Sequence, residues 1–103
     1  MDISDEQIGA LVAWAGDNPL IEAVYLFGSR VKGTAREDSD LDVALDLGWS
    51  EDAGLTLFIK KEEWEIELRK SLGLLVNLDL YHMTVAPVVY GYVQEHGRMV
   101  YRR

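Results

Sequence analysis

The nine residues Ser39-Asp40-Leu41-Asp42-Val43-Ala44-Leu45-Asp46-Leu47 alternate between apolar and polar or small side chains. Successive side chains of a strand point to opposite faces, so Leu41, Val43, Leu45 and Leu47 share one face and Asp40, Asp42, Ala44 and Asp46 the other. The segment therefore reads as a strand with one face packed and one face open for chemistry. Asp40 and Asp42 repel each other and need compensation, and a hard divalent cation such as Mg²⁺ supplies it through oxygen ligands. Asp46 keeps the same register but lies at the strand end and reads as solvated surface.

Separated from Asp40 by a ten-residue spacer stands Gly28-Ser29, which follows the apolar run Tyr25-Leu26-Phe27. This reads as a strand entering a tight turn that opens a short helix, where backbone N–H groups and a positive helix end gather around an anion. Gly28 permits close backbone approach. A phosphate-cradling turn just before paired carboxylates is the pattern of a site for a metal-bound nucleoside triphosphate. Two-metal sites hold ions roughly 3.5–4 Å apart and usually need a further carboxylate. In Leu75-Val76-Asn77-Leu78-Asp79-Leu80-Tyr81 the alternation puts Asn77, Asp79 and Tyr81 opposite three apolar residues, and Asp79 is the expected third ligand.

The chain has 103 residues, 49% of them apolar, which fits one folded domain spanning 1–103. It has no cysteine, hence no disulfide framework or thiolate metal site, and no membrane-length apolar run or signal-peptide pattern. A cytoplasmic location is the expectation. The formal charge of −8 opposes tight binding to bare nucleic acid and suits a basic partner protein.

Helix and strand signals take turns along the chain. Ser4 and Gln7 form a capping box ahead of Ile8, Leu11, Val12 and Ala15 at helical spacing, and Asp17-Asn18-Pro19 ends that helix. Strands are expected over Ile21 to Phe27, Asp40 to Leu47, Leu75 to Tyr81 and Arg98 to Tyr101. A short helix should span Ser29 to about Lys32, and Gly48 to Gly54 reads as a loop beside the site. Leu57, Trp64, Leu68 and Leu72 form an apolar stripe on a charged helix, whose stretch Lys60 to Arg69 reads as a solvated face. Thr84 is the expected cap of a last helix containing Val85, Val88, Val89, Tyr92 and Val93, with Gly97 as its stop. These elements give an α/β (α+β) fold, a mixed sheet of about four strands flanked by helices.

The Gly28-Ser29 pair, the ten-residue spacer and Asp40-Leu41-Asp42 resemble the signature of the DNA polymerase β-like nucleotidyltransferase superfamily. The flanks Phe27-Gly28-Ser29-Arg30-Val31-Lys32-Gly33 and Asp38-Ser39-Asp40-Leu41-Asp42-Val43-Ala44-Leu45 are similar to its small MNT subgroup, the minimal nucleotidyltransferases. The resemblance implies an antitoxin paired with a helical HEPN-domain toxin, moving AMP from ATP to a tyrosine of that toxin. It implies that Gly28 and Ser29 hold the terminal phosphates, with Arg30 as a further phosphate contact. It further implies that Asp40, Asp42 and Asp79 hold two Mg²⁺ ions, and that Asp79 serves as base. Larger relatives grip base and acceptor with added domains, so a partner or second copy, in a homodimer or hetero-oligomer, must supply those walls here.

Other readings compete at single positions. Asp38 to Asp42 is no EF-hand loop, because Val43 stands where glycine is required, and no P-loop or dinucleotide fingerprint occurs. His82 and His96 lack metal-ligand spacing and read as surface or capping residues. Trp14 and Trp64 read as packing, with a partner groove as the alternative for Trp64, while Trp49 is a candidate contact residue. At the level of function, a non-catalytic antitoxin that neutralises its partner by binding alone is the alternative to the enzyme. Transfer to a small molecule such as an aminoglycoside is disfavoured by the lack of an acceptor domain.

Overall fold

The computed structural model describes residues 1–103. Four helices and four strands follow in the order α1 (Asp5–Gly16), β1 (Ala23–Phe27), α2 (Ser29–Lys32), β2 (Leu41–Asp46), α3 (Ala53–Leu72), β3 (Val76–Leu80), α4 (Pro87–His96) and β4 (Arg98–Arg102). The sheet order is β3-β2-β1-β4. β1 is antiparallel to β2 and β4, and β2 is parallel to β3 through the α3 crossover. This is the expected mixed four-stranded sheet, with strand ends displaced by one or two residues.

The alternation in the strands divides the sheet as the sequence implies. Val24, Leu26, Leu41, Val43, Leu45, Val76, Leu78 and Leu80 form one core with Leu11 and Ala15 of α1 and Leu57, Trp64, Leu68 and Leu72 of α3. α1 begins with the expected capping box, in which the Ser4 hydroxyl accepts the Gln7 N–H at 3.1 Å and the Gln7 side chain accepts the Ser4 N–H at 2.9 Å. Trp64 is buried and meets Trp14 edge to face at 5.7 Å, so it is a packing residue and lines no partner groove. The opposite sheet face is covered only in part, by α4, where Phe27, Ala44 and Val93 make a smaller cluster. Tyr25 and Tyr81 stack there at 4.1 Å, and Tyr90 lies 5.0 Å from Tyr81. Burial, and then Tyr25 and Tyr90, push the Tyr81 hydroxyl up to about 12.

Three local expectations change. α4 is capped at Ala86 and starts at Pro87, not at Val85 behind a Thr84 cap, because buried His82 accepts the Thr84 and Val85 N–H groups at Nδ1, at 3.2 and 3.1 Å. Its Nε2 faces the Trp49 carbonyl at 3.2 Å, so His82 ties two loops together from within. α3 begins at Ala53, which shortens the loop after β2. The charged stretch Lys60 to Arg69 is also more than a solvated face. β3 is an edge strand, and an edge leaves backbone groups unpaired; here Glu65 accepts the Leu78 N–H at 2.8 Å and Lys61 donates to the Leu78 carbonyl. Lys61 and Arg69 flank Glu65 at 3.3 and 3.7 Å.

Loss of a buried acceptor exposes the full desolvation cost of its donor, so Glu65→Ala should destabilise the fold by about 1–3 kcal/mol. Glu65→Gln keeps an oxygen for the Leu78 N–H and should retain most of the stability. Chemical denaturation of both variants checks this; equal losses would show that the edge bond is not what Glu65 contributes.

Candidate active site

Register builds the site. In the β1–β2 pair Phe27 lies opposite Asp42 and Tyr25 opposite Ala44. In the β2–β3 pair Asp42 lies opposite Asn77 and Ala44 opposite Asp79. The open sheet face therefore carries a row Phe27-Asp42-Asn77 at the end nearest the turn, and a deeper row Tyr25-Ala44-Asp79.

The turn after β1 is shaped by Gly28, whose φ of 81° and ψ of −161° favour glycine strongly. A Cβ at this position would lie 2.2 Å from Asp42 Oδ2. The Asp42 carboxylate thus packs directly against the Gly28 backbone, and the turn and the Asp-x-Asp strand meet at that contact. α2 follows, and Gly33 ends it in the left-handed conformation. Val31 and Lys32 N–H groups bond to the Gly28 carbonyl at 3.2 Å. At a helix start the first N–H groups have no preceding carbonyl to reach, which leaves those of Ser29 and Arg30, with the Ser29 hydroxyl, for an anion.

His96 joins this turn from the end of α4. Its Nε2 accepts the Gly28 N–H at 2.9 Å, where the β1–β4 ladder has just run out at Leu26 and Arg98. The imidazole replaces the missing strand acceptor and fixes the turn. Its other nitrogen, Nδ1, is buried without a hydrogen-bond partner. Phe27, Gly28, Lys32, Asp42, Tyr92 and His96 line a cavity of about 350 Å³. Lys32 supplies a cation there, and the Phe27 and Tyr92 rings stack at 6.4 Å along its wall. A cleft of about 340 Å³ near the far end of the strands, with Glu22, Asp46, Trp49 and Arg102 among its lining residues, has no such turn.

Arg30 is corrected by the structure. Its guanidinium donates to the backbone carbonyls of Asp2, Glu37 and Ser39, at 2.9, 3.1 and 2.9 Å. It braces the loop leading into β2, so the guanidinium is not free for a phosphate and only the Arg30 backbone N–H remains for one; Lys32 is the cation that lines the cavity.

The carboxylates share a face without forming a three-carboxylate cluster. Asn77 stands between two of them: its Nδ2 donates to Asp79 Oδ2 at 2.9 Å and approaches Asp42 Oδ1 at 3.5 Å. Lys61 contacts Asn77 Oδ1 at 3.3 Å from α3. Burial raises the Asp42 carboxyl above its ordinary range; the Asn77 bond opposes this, and the Asp79 and Asp40 charges add to it. Burial likewise raises Asp79, with Lys61 lowering it, Glu65 raising it and the Asn77 bond lowering it. Half-buried carboxylates raised first by burial, and at Asp42 also by its acidic neighbours, suit a hard divalent cation, which relieves burial and repulsion together. The Asp79 charge acts on Asp42 more than the Asp40 charge does, and Asn77 also bridges Asp42 and Asp79.

Asn77, Lys61, Lys32 and His96 carried no assignable signal. Asn77 lies on the right strand face but is neutral, and Lys61 and His96 act on residues 16 and 68 positions away.

Two outcomes are expected. Gly28→Ala should lose roughly 1–3 kcal/mol through backbone strain and displace Asp42; unchanged denaturation would refute the close packing. Asp42→Asn should stabilise the cation-free protein at pH 7 by at most about 1 kcal/mol after solvent screening, or roughly 4–8 °C in a domain of this size. The sign follows from the raised folded pKa: ionisation costs stability, a cost absent below the unfolded value of 3.8 and complete above the folded one. The gain in melting temperature should therefore fade as pH approaches 3.8; a gain that persists there would exclude charge relief.

Known proteins share this architecture. The model of the polymerase beta, nucleotidyltransferase family matches residues 10–103. Protein adenylyltransferase MntA of Thermococcus cleftensis is 41% identical over 58 residues, covering 56% of this chain and 54% of that protein. The match thus spans about half the length of that relative. A chain from the crystal structure of a toxin–antitoxin with AMP-PNP superposes with a TM-score of 0.74 at 25% identity, covering 93% of this chain and 73% of its own. A chain of the complex between tri-AMPylated HEPN toxin and MNT antitoxin of Shewanella oneidensis shares the fold at 21% identity, with a TM-score of 0.67 and coverage of 94% and 71%. With the family match running from α1 to the end of β4 and the turn packed on the Asp-x-Asp strand, the chain belongs to the polymerase beta nucleotidyltransferase family.

Proposed function

We propose that this chain is an Mg²⁺-dependent nucleotidyltransferase that moves AMP from ATP to a hydroxyl, that of a tyrosine, on a HEPN-domain toxin, and thereby acts as its antitoxin. The observation that carries the reading is the Asp42 carboxylate seated against the Gly28 turn, which brings a phosphate cradle and a metal ligand into contact. The adenylyltransferase relative, the AMP-PNP complex and the AMPylated toxin complex support the choice of donor and acceptor.

The residues divide the work. Ser29, through its hydroxyl and N–H, and Lys32 hold the terminal phosphates, while His96 keeps the turn in shape. Asp40 and Asp42 would hold the two Mg²⁺ ions, with Asp79 as the remaining carboxylate of the face. Bound Mg²⁺ supplies charge stabilisation at the phosphoryl oxygens and the leaving group. The acceptor oxygen forms a bond to the α-phosphorus as the bond from that phosphorus to the β-phosphate oxygen breaks, and pyrophosphate departs. The hydroxyl proton passes to Asp79, whose raised pKa makes it a stronger base than an ordinary carboxylate.

One observation favours a second reading, neutralisation by binding alone: the residue facing Asp42 across the sheet is Asn77, not a carboxylate. Intact-mass measurement of a HEPN toxin after incubation with this protein, ATP and Mg²⁺ separates the two. A gain of one or more AMP units is expected, and Asp79→Asn should slow it by roughly 10²–10⁴-fold while complex formation persists. An unmodified toxin that is nevertheless bound and silenced would replace the enzyme with the binding module.

A further inference from the structure

α3 presents large apolar residues on two opposite faces. Leu57, Trp64, Leu68 and Leu72 are buried against the sheet and α1. On the far side Leu55, Phe58, Ile59 and Ile66 are 60%, 82%, 66% and 43% exposed. Their spacing of three, four, seven and eleven residues places them along one stripe of the helix. A single exposed apolar residue needs no explanation, but a stripe of four that includes a phenylalanine this exposed marks a contact surface. A helix that is apolar on both faces is one packed between two bodies, and this chain supplies only one of them.

The rim indicates the other body. A shallow groove on this side is lined by Ile59, Glu62, Glu63, Ile66 and Glu67. Lys60 lies 3.6 Å from Glu63, whereas Glu62 and Glu67 have no ion pair, Glu67 accepting only the neutral Trp14 indole N–H at 3.5 Å. A second copy of this chain docked symmetrically would set acidic rim against acidic rim, within molecules that each carry a formal charge of −8. A partner with apolar anchors flanked by lysine or arginine meets both features.

We infer that the outer face of α3 is a docking surface for a positively charged amphipathic helix of a partner protein, gripped by Leu55, Phe58, Ile59 and Ile66 and steered by Glu62, Glu63 and Glu67. Such helices lay their apolar face into a groove through anchors at spacings of three, four and seven residues. The inference rests on the reading above only for the existence of a protein partner. The stripe faces away from the sheet, so it would hold the partner without occupying the nucleotide cavity.

The test uses two labelled helical peptides with the same leucine stripe, one flanked by lysine and arginine and one by glutamate. Fluorescence anisotropy should show the cationic peptide binding at least tenfold more tightly, with affinity falling as salt rises. The double substitution Phe58→Asp and Ile59→Asp should lower that affinity at least tenfold. It makes the surface more acidic, so the loss reports apolar contact and not charge. Both residues are exposed, so the melting temperature should hold, and an intact Mg²⁺–ATP shift in the variant separates this surface from the nucleotide site. Equal binding of the cationic peptide to parent and variant, or no binding to the parent, would overturn the inference. So would a parent dimer in sedimentation that the double substitution dissociates, since the occupant would then be a second copy.

Discussion

The structure turns on one cross-strand pair, Phe27 opposite Asp42. That register sets the Asp42 carboxylate against the Gly28 backbone, so closely that no Cβ fits between them. A slip of one residue in β2 would turn every carboxylate into the core and every leucine out of it. The large apolar side chains under α1 and α3 therefore hold the register, and the register holds the site. The core is the device that keeps a phosphate turn and an acidic strand in contact.

Holding carboxylates on a half-covered face has an electrostatic cost, and the neighbouring residues moderate it. Asn77 lends its amide to Asp79 and approaches Asp42, and Lys61 places a positive charge beside both Asn77 and the β3 edge. The same Lys61 and Glu65 that close the edge strand thus also set the charge balance of the site. His96 does comparable work on the other side, where its ring stands in for a strand acceptor and links the end of α4 to the turn. Gly97 makes that link feasible, because a Cβ there would lie 2.7 Å from the Val93 backbone as the chain reverses from α4 into β4.

The helices divide between holding the fold and presenting surfaces. α1 is occupied by the core. α4 covers part of the open face and walls the cavity with Tyr92 and His96. α3 carries apolar stripes on both sides, one against the sheet and one outward.

Periodicity alone made the strands and their faces legible, since a period of two in Leu41 to Asp46 and Val76 to Leu80 dictates which side chains meet the core. The capping box of α1, the Gly28 turn and the inward stripe of α3 were legible for the same reason, because each is a local pattern with one physical reading. Strand order, and with it the partner of each carboxylate, was not. Asp79 shares a face with Asp42 by alternation, yet pairing sets it opposite Ala44 and puts Asn77 in the nearer place. The sequence placed Arg30 beside the phosphate turn, but the fold bent the following loop back and claimed its guanidinium for three carbonyls. Lys60 to Arg69 read as solvated because charge counts do not say which side of a helix meets an edge strand. What the sequence determined by itself was local periodicity and turn chemistry, which depend on neighbours in the chain; register, edge protection, the His96 contact and the outward face of α3 belong to residues that only folding brings together.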